Sequence, residues 1–285
     1  MVKNLKTKDE PFITHILSYI ELNVKFKKKF SHHKQTIPNE ILFGALLYKL
    51  RTGIAYRDIE MTKYDISYQN LYRFHKKVKD LKLFETFYDE YISKYIGCIG
   101  NKFKEFYMDS TLVANKYGSD KADYNKQLPK HKSTKISLIV DEFNIPISYK
   151  ITSSNDNDSP VIQSQIIDLA NKYPILCDNN KIFIGDAGYD SKKIADILTD
   201  KKLGILDTPI NNRNTKDQSK IRKISLYSKM LHNKRSKIEH ANNLIKKYKT
   251  INVRYQRSSK SFENYVLLSL IVTSFYKLGN IDKYI

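Results

Sequence analysis

The sequence predicts an α/β fold: a mixed sheet with flanking helices, preceded by an α-helical N-terminal part. Three observations predict it. The first hundred residues place apolar side chains at helical spacing, the next fifty hold three successive strand-type runs, and the remainder alternates amphipathic helices with short apolar strands. At 285 residues the chain suffices for one large or two medium domains with a real core.

Pro38 reads as an N1 proline, and NEILFGALLYKLRTG after it carries a helical stripe of Ile41, Leu42, Ala45, Leu46 and Leu50. Gly53 closes that helix at C′. A short helix over about 55–61 precedes SYQNLYRFHKKVKDL, which Ser67 can cap. Its exposed face is expected to carry Gln69, Asn70, Arg73, His75, Lys76 and Lys77. Helix, short turn and basic helix make a helix-turn-helix candidate, with Arg73, Lys76 and Lys77 turned to a major groove. An ordinary helical bundle with a solvated basic face accounts for the same pattern. FKKKF at 26–30 reads as a basic helix face. The pattern changes near Gly97–Gly100, which divides a helical 1–100, the candidate DNA-binding part, from a second domain over 101–285.

FKEFYMDSTLVA, STKISLIVDEF and IPISYKITSS form the expected antiparallel meander. Asp158-Ser159-Pro160 supplies an N-cap and an N1 proline for VIQSQIIDLANKY. KIFIGDAG is a strand apolar enough to be buried on both faces, Asp190 or Ser191 caps KKIADILTDK, and LGILDTPI is a further strand. A basic, turn-rich stretch over 211–227 leads to the helix LHNKRSKIEHANNLIKKYKT. Three antiparallel strands followed by α-β-α-β around a mixed sheet is the order of an RNase H-like domain.

Lys and Arg number 50 against 30 Asp and Glu, a net charge of +20, which points to a polyanionic partner. The longest apolar run, YVLLSLIVTSF at 265–275, is too short for a bilayer and reads as a buried C-terminal helix. MVKNLKTKDEP lacks the apolar core of a signal peptide. Cys98 and Cys177 lack partners at metal spacing and read as buried thiols of an intracellular protein, in the cytoplasm or nucleoid if the host is a prokaryote.

Asp109 and Asp186 stand among apolar strand residues, where an acid is costly unless paired or bound to a cation. Arg235, Glu239 and Lys246 are four and seven residues apart, which brings them onto one helical face within roughly 40°. Asp109, Asp186 and Glu239 together could hold two divalent ions; hard oxygen ligands suit Mg²⁺, with Mn²⁺ able to substitute. That requires the Glu239 carboxylate to lie roughly 4–6 Å from both aspartates. Other acids have plainer accounts. Asp158 and Asp190 fit caps, Asp141 and Glu142 a hairpin turn, and Asp156 a loop. Glu239 itself could simply pair with Arg235 on a solvated helix.

HNKRSKIEHANNLIK resembles the Tyr-x2-Arg-x3-Glu-x6-Lys signature of DDE insertion-sequence transposases, with His232 at the Tyr position and Arg235, Glu239 and Lys246 in register. FYMDST resembles the family's first-aspartate strand. KHKSTKISLIVDEFNIPISYKITSSNDNDSP resembles its lysine-led strand pair, ending in the Asn-x-x-Asp turn at Asn155 and Asp158. IGDAGYDS is similar to its second-aspartate motif, which selects Asp186 over Asp190. TPINNRN and LLYKLRTGIAYRDIE are similar to its later basic segment and its N-terminal helical region. The resemblance implies Mg²⁺-dependent DNA cleavage and strand transfer at element ends, with double-stranded DNA as partner and a homodimeric synapse. Asp109 would bridge both metals, and Asp186 and Glu239 would hold one each. Arg235 and Lys246 would contact phosphates beside the scissile bond, and His232 keeps a planar hydrogen-bonding ring. Arg213, with Lys216, Lys220, Arg222 and Lys223, reads as phosphate-binding; Lys130, His131, Lys132 and Lys135 either track a DNA backbone or form a solvated strand edge. The rival is a decayed or domesticated relative that binds DNA without cutting it. The chain has no Trp, so a displaced base would stack on Tyr or Phe.

Overall fold

The computed structural model describes residues 9–30, 37–209 and 236–279. Five helices lead: α1 (Glu10–Leu22), α2 (Val24–Phe30), α3 (Asn39–Thr52), α4 (Tyr68–Asp80) and α5 (Leu83–Ile99). Two of their ends follow from single residues. Gly53 takes φ +70°, the left-handed conformation that lets the chain leave α3, and Ser67 accepts the Asn70 N–H at the start of α4. Pro38 is the N-cap residue rather than N1, and the short helix before α4 is a 3-10 helix, Tyr56–Met61.

The sheet comprises β1 (Glu105–Asn115), β2 (Asp123–Asn125), β3 (Leu128–Asp141), β4 (Pro146–Ser153), β5 (Lys181–Ile184), β6 (Gly204–Asp207) and β7 (Val253–Arg254). β1 and β3, and β3 and β4, pair antiparallel; β5 joins the other edge of β1 in parallel and β6 follows β5. This is the expected meander and mixed sheet of an RNase H-like fold. Two short strands are additional, β2 on β3 and β7 on the far end of β1. Between strands run α6 (Asp158–Lys172) and α7 (Lys192–Asp200), and then come α8 (Ser236–Lys246), α9 (Lys249–Asn252) and α10 (Ser259–Leu278).

α10 contains the apolar run at 265–275, almost wholly buried, and packs against α4, α5, α8 and β4. One continuous apolar cluster runs from Phe12 to Leu278, so the helical part and the sheet share a core through α10. Among the described residues no helix is long and apolar enough to cross a membrane. Cys98 and Cys177 are free thiols, half-buried rather than buried.

Candidate active site

β1 and β5 run parallel with Glu105, Phe106 and Tyr107 opposite Ile182, Phe183 and Ile184, an offset of 77 positions (182 − 105). Asp109 and Asp186 are separated by the same 77 (186 − 109). Their register therefore coincides: each acid lies two residues beyond the last pair, on the same side as that pair. Neighbouring strands lie about 4.8 Å apart, and that register, carried past Ile184 where β5 ends, would bring half-buried Asp186 to the level of half-buried Asp109.

The turn after β5 holds Asp186 in place. Its Oδ1 accepts the Gly188 N–H at 2.8 Å, and a Cβ on Gly188 would stand 2.9 Å from that oxygen. A Cβ on Gly185 would stand 2.8 Å from the Tyr189 ring. The two glycines thus let the carboxylate fold onto the backbone and the tyrosine pack beneath it. Tyr189 is 2% exposed. Burial pushes its hydroxyl well above the usual range, the carboxylates of Asp158, Asp109 and Asp186 push the same way, and Ser110 pulls against them.

Asp158 is not a helix cap. Asn157 holds the N-cap position of α6, and Asp158 reaches back to the sheet. The Ser110 hydroxyl donates to it at 2.8 Å and the Lys135 ammonium pairs with it at 2.9 Å. Lys135 also donates to the Asp156 carbonyl at 2.6 Å. With its side chain only 7% exposed, Lys135 is neither a solvated strand-edge residue nor one that tracks DNA from the surface, because its charge is already compensated inside the protein.

α8 completes the arrangement from across β1. Asn242 Nδ2 donates to Asp109 Oδ2 at 3.0 Å. One turn on, burial lowers the pKa of half-buried Lys246, and the charge of the Asp109 carboxylate pulls it the other way. Glu239 precedes Asn242 by three residues and shares that face, yet it is exposed. Among the described residues no three of His, Cys, Asp and Glu gather into a group that could hold a metal ion. The expected three-acid proximity is therefore not assembled: a third carboxylate drawn against two others loses hydration and meets like charge, and Glu239 keeps its water. The donor set fits a hard divalent ion in chemical kind, with two carboxylates at one strand level and a third on the helix face above.

Arg73 and Lys76 are exposed on α4 as expected. Lys77 is half-buried, with its ammonium 4.5 Å from the centroid of the Phe30 ring. His75 faces inward and is 6% exposed, bonded through Nδ1 to the Tyr56 hydroxyl and through Nε2 to Asn264 Oδ1. Lys132 is exposed, 5.9 Å from the Tyr124 ring centroid. Arg213, His232 and Arg235 lie outside the described residues, as do Lys216, Lys220, Arg222 and Lys223. Sequence reasoning missed Asn242, Ser110 and Tyr189. The signal for Asn242 was present, since it sits three residues after Glu239 and four before Lys246.

Residues 102–274 match the family described as transposase DDE domain. A comparison with curated proteins finds no match. Among solved structures, the chain is similar to a piggyBac transposase synaptic complex with hairpin DNA at 10% identity, over 96% of this chain and 73% of that one, with a TM-score of 0.51. A pre-cleavage Mos1 transpososome aligns at 9% identity over 87% of this chain and 81% of that one, with a TM-score of 0.30. The family match spans more than half of the chain, including both strand aspartates and the helix that faces them, and the chain belongs to the DDE transposases, metal-dependent enzymes of DNA cleavage and strand transfer.

Proposed function

We propose that Asp109, Asp186 and Glu239 are the catalytic acids of this transposase and that they hold two Mg²⁺ ions at the ends of a mobile element. The observation that carries this reading is the Asn242–Asp109 hydrogen bond, because it seats the Glu239 helix on the strand of the first acid. When bound, the ions would activate the attacking water or 3′-hydroxyl and stabilise the leaving oxygen. Asn242 orients the Asp109 carboxylate, Gly188 N–H orients that of Asp186, and Lys246 sets a positive charge beside them for the scissile phosphate. Arg235, His232, Arg213 and Lys132 would add further contacts to DNA phosphates. In the helical N-terminal part, 1–100, exposed Arg73 and Lys76, with half-buried Lys77 beside them, offer phosphate contacts on α4. The partner is double-stranded DNA carrying the element's terminal repeats, with two copies of the chain holding two ends. Lys135 is better placed to hold Asp158 than to touch DNA.

The test is nicking of duplex DNA that carries the element ends, with Mg²⁺, Mn²⁺ or a chelator. Wild-type protein should nick with either ion. Asp109→Ala, Asp186→Ala and Glu239→Gln should fall to the chelator level while retarding the same DNA in a gel. Pre-cleaved ends should yield joined products, which a simple nuclease would not make. Nicking that persists in Asp109→Ala sinks the assignment. DNA binding without any metal-dependent nicking by the wild type would identify a non-catalytic relative.

A further inference from the structure

Beyond the far end of β1 a cavity of about 660 Å³ opens between the helical part and the segment that leads from β7 into α10. Asp109 is eight residues before Tyr117 in its wall, at most about 26 Å along an extended chain. The helical part contributes Tyr56 and Tyr72, the end of β1 contributes Tyr117, and the C-terminal segment contributes Tyr255 and Tyr265. The Tyr117 and Tyr255 ring centroids are 6.0 Å apart, and the Lys116 ammonium sits 5.7 and 5.5 Å from them. Lys49, Lys79 and Arg257 line the same space, and among the described residues no carboxylate does. Lys49 lies 4.4 Å from the Tyr56 ring centroid, and burial lowers its pKa to about 8 against the pull of Asp58.

Exposed aromatic faces take up other flat rings, and partly desolvated cations take up phosphate. A ligand that uses both features carries a planar base and a phosphate. In duplex DNA each base face is covered by its neighbours, so only an unpaired or extruded nucleotide offers a free face. We propose that this cavity binds one unpaired nucleotide of a DNA strand, with its base on the Tyr117–Tyr255 pair and its phosphate toward Lys79 and Arg257. The proposal rests on the DNA-processing reading for the source of the nucleotide, but not on the catalytic acids. Its size suits the ligand, since small-molecule pockets run from about 300 to 1,000 Å³.

The test uses the full chain without divalent ions, so no cleavage occurs. A thymidylate pentamer carrying one 5-iodouracil is photo-crosslinked, and the modified peptides are mapped. Crosslinks should fall on the peptides that hold Tyr72, Tyr117 or Tyr255. These three are 56%, 58% and 50% exposed, so Tyr255→Ala and Tyr117→Ala should fold normally. Each should weaken pentamer binding about tenfold while leaving an abasic pentamer unaffected. Crosslinks confined to other peptides, or an equal loss with the abasic strand, would overturn the proposal. Free thymidine monophosphate binding as tightly as the pentamer would overturn the DNA source and assign the cavity to a soluble nucleotide. Nicking by the wild type is scored separately. A chain that nicks but crosslinks elsewhere loses only this inference, and one that crosslinks here but never nicks loses only the catalytic one.

Discussion

Asp141 and Asp109 occupy the same pair of strands and show what separates a structural acid from a site acid. Asp141 ends β3 and is fully buried. Its Oδ1 accepts the N–H groups of Phe143 and Ile145, both at 2.9 Å, and its Oδ2 accepts the Tyr95 hydroxyl at 2.6 Å. The hairpin is closed by these bonds, as the sequence suggested. Burial outweighs the three donors and raises the pKa to about 6. An unfolded aspartate titrates near about 3.9, so the folded state binds the proton more tightly and stability falls as pH rises from about 4 to about 6. Above that window the buried charge costs roughly 2–3 kcal/mol relative to a neutral side chain. Asp141→Asn keeps an acceptor for both N–H groups and should raise the urea midpoint at pH 7 while removing the slope between pH 4 and 6. An equal loss of stability at both ends of that range would show that the carboxylate is needed as an ion. Asp109, by contrast, is half-buried and accepts a hydrogen bond from the Asn242 amide on α8. Asn242→Ala should therefore reduce metal-dependent nicking by about 10- to 100-fold through loss of orientation, with little change in DNA retardation. Unchanged nicking would remove Asn242 from the site.

At the scale of elements, α4 and α10 are joined by a buried polar chain. His75 bonds the Tyr56 hydroxyl at 2.6 Å and Asn264 at 2.9 Å, and Tyr56 bonds the Tyr265 hydroxyl at 2.6 Å. Burial lowers the pKa of His75 to about 3, against the favourable Asn264 bond. Here the sign is opposite to that of Asp141. The contribution of neutral His75 is complete above about 6.5 and is lost as pH falls toward 3, by about 2 kcal/mol at pH 5. Amide exchange in α4, corrected for its intrinsic pH dependence, should lose roughly 30-fold protection between pH 7 and pH 5. Protection that holds at pH 5 would mean the ring is not the group that locks the helix. His75 was legible after all: with Leu71, Phe74 and Val78 it completes an i, i+3, i+4, i+7 stripe, and only its polarity assigned it to the surface. The same helical stripe gave α3, strand-type runs gave the meander, and the length of one apolar run gave the buried helix at 265–275. β2 and β7 were not legible, because two or three residues carry no period. Asp158 was misread because a cap and a tertiary ligand look alike when the partner is 48 residues away in sequence.

At the scale of the whole molecule, the sequence suggested a boundary near Gly97–Gly100, and the chain does change from helix to strand there. The core, however, does not stop at that point. α10 packs against α4 and α5 of the helical part and against β4 of the sheet, while α8, which presents Asn242 to Asp109, packs against both α10 and β1. A helix that lies at the end of the chain is thus the common wall of both parts, which local patterning cannot reveal because it specifies elements and not their neighbours. The consequence is energetic coupling. Phe12 in α1 is fully buried and meets Phe275 of α10 edge to face, with centroids 5.5 Å apart. Phe12→Ala should cost about 3–5 kcal/mol through lost contact and the cavity left behind. If the shared core makes the chain one cooperative unit, that loss lowers amide protection in β1 as much as in α1, and circular dichroism and exchange report a single transition. Should the helices melt first while β1 keeps its wild-type protection, 1–100 and 101–285 are separate folding units. The Asp109 site would then stand without the N-terminal part.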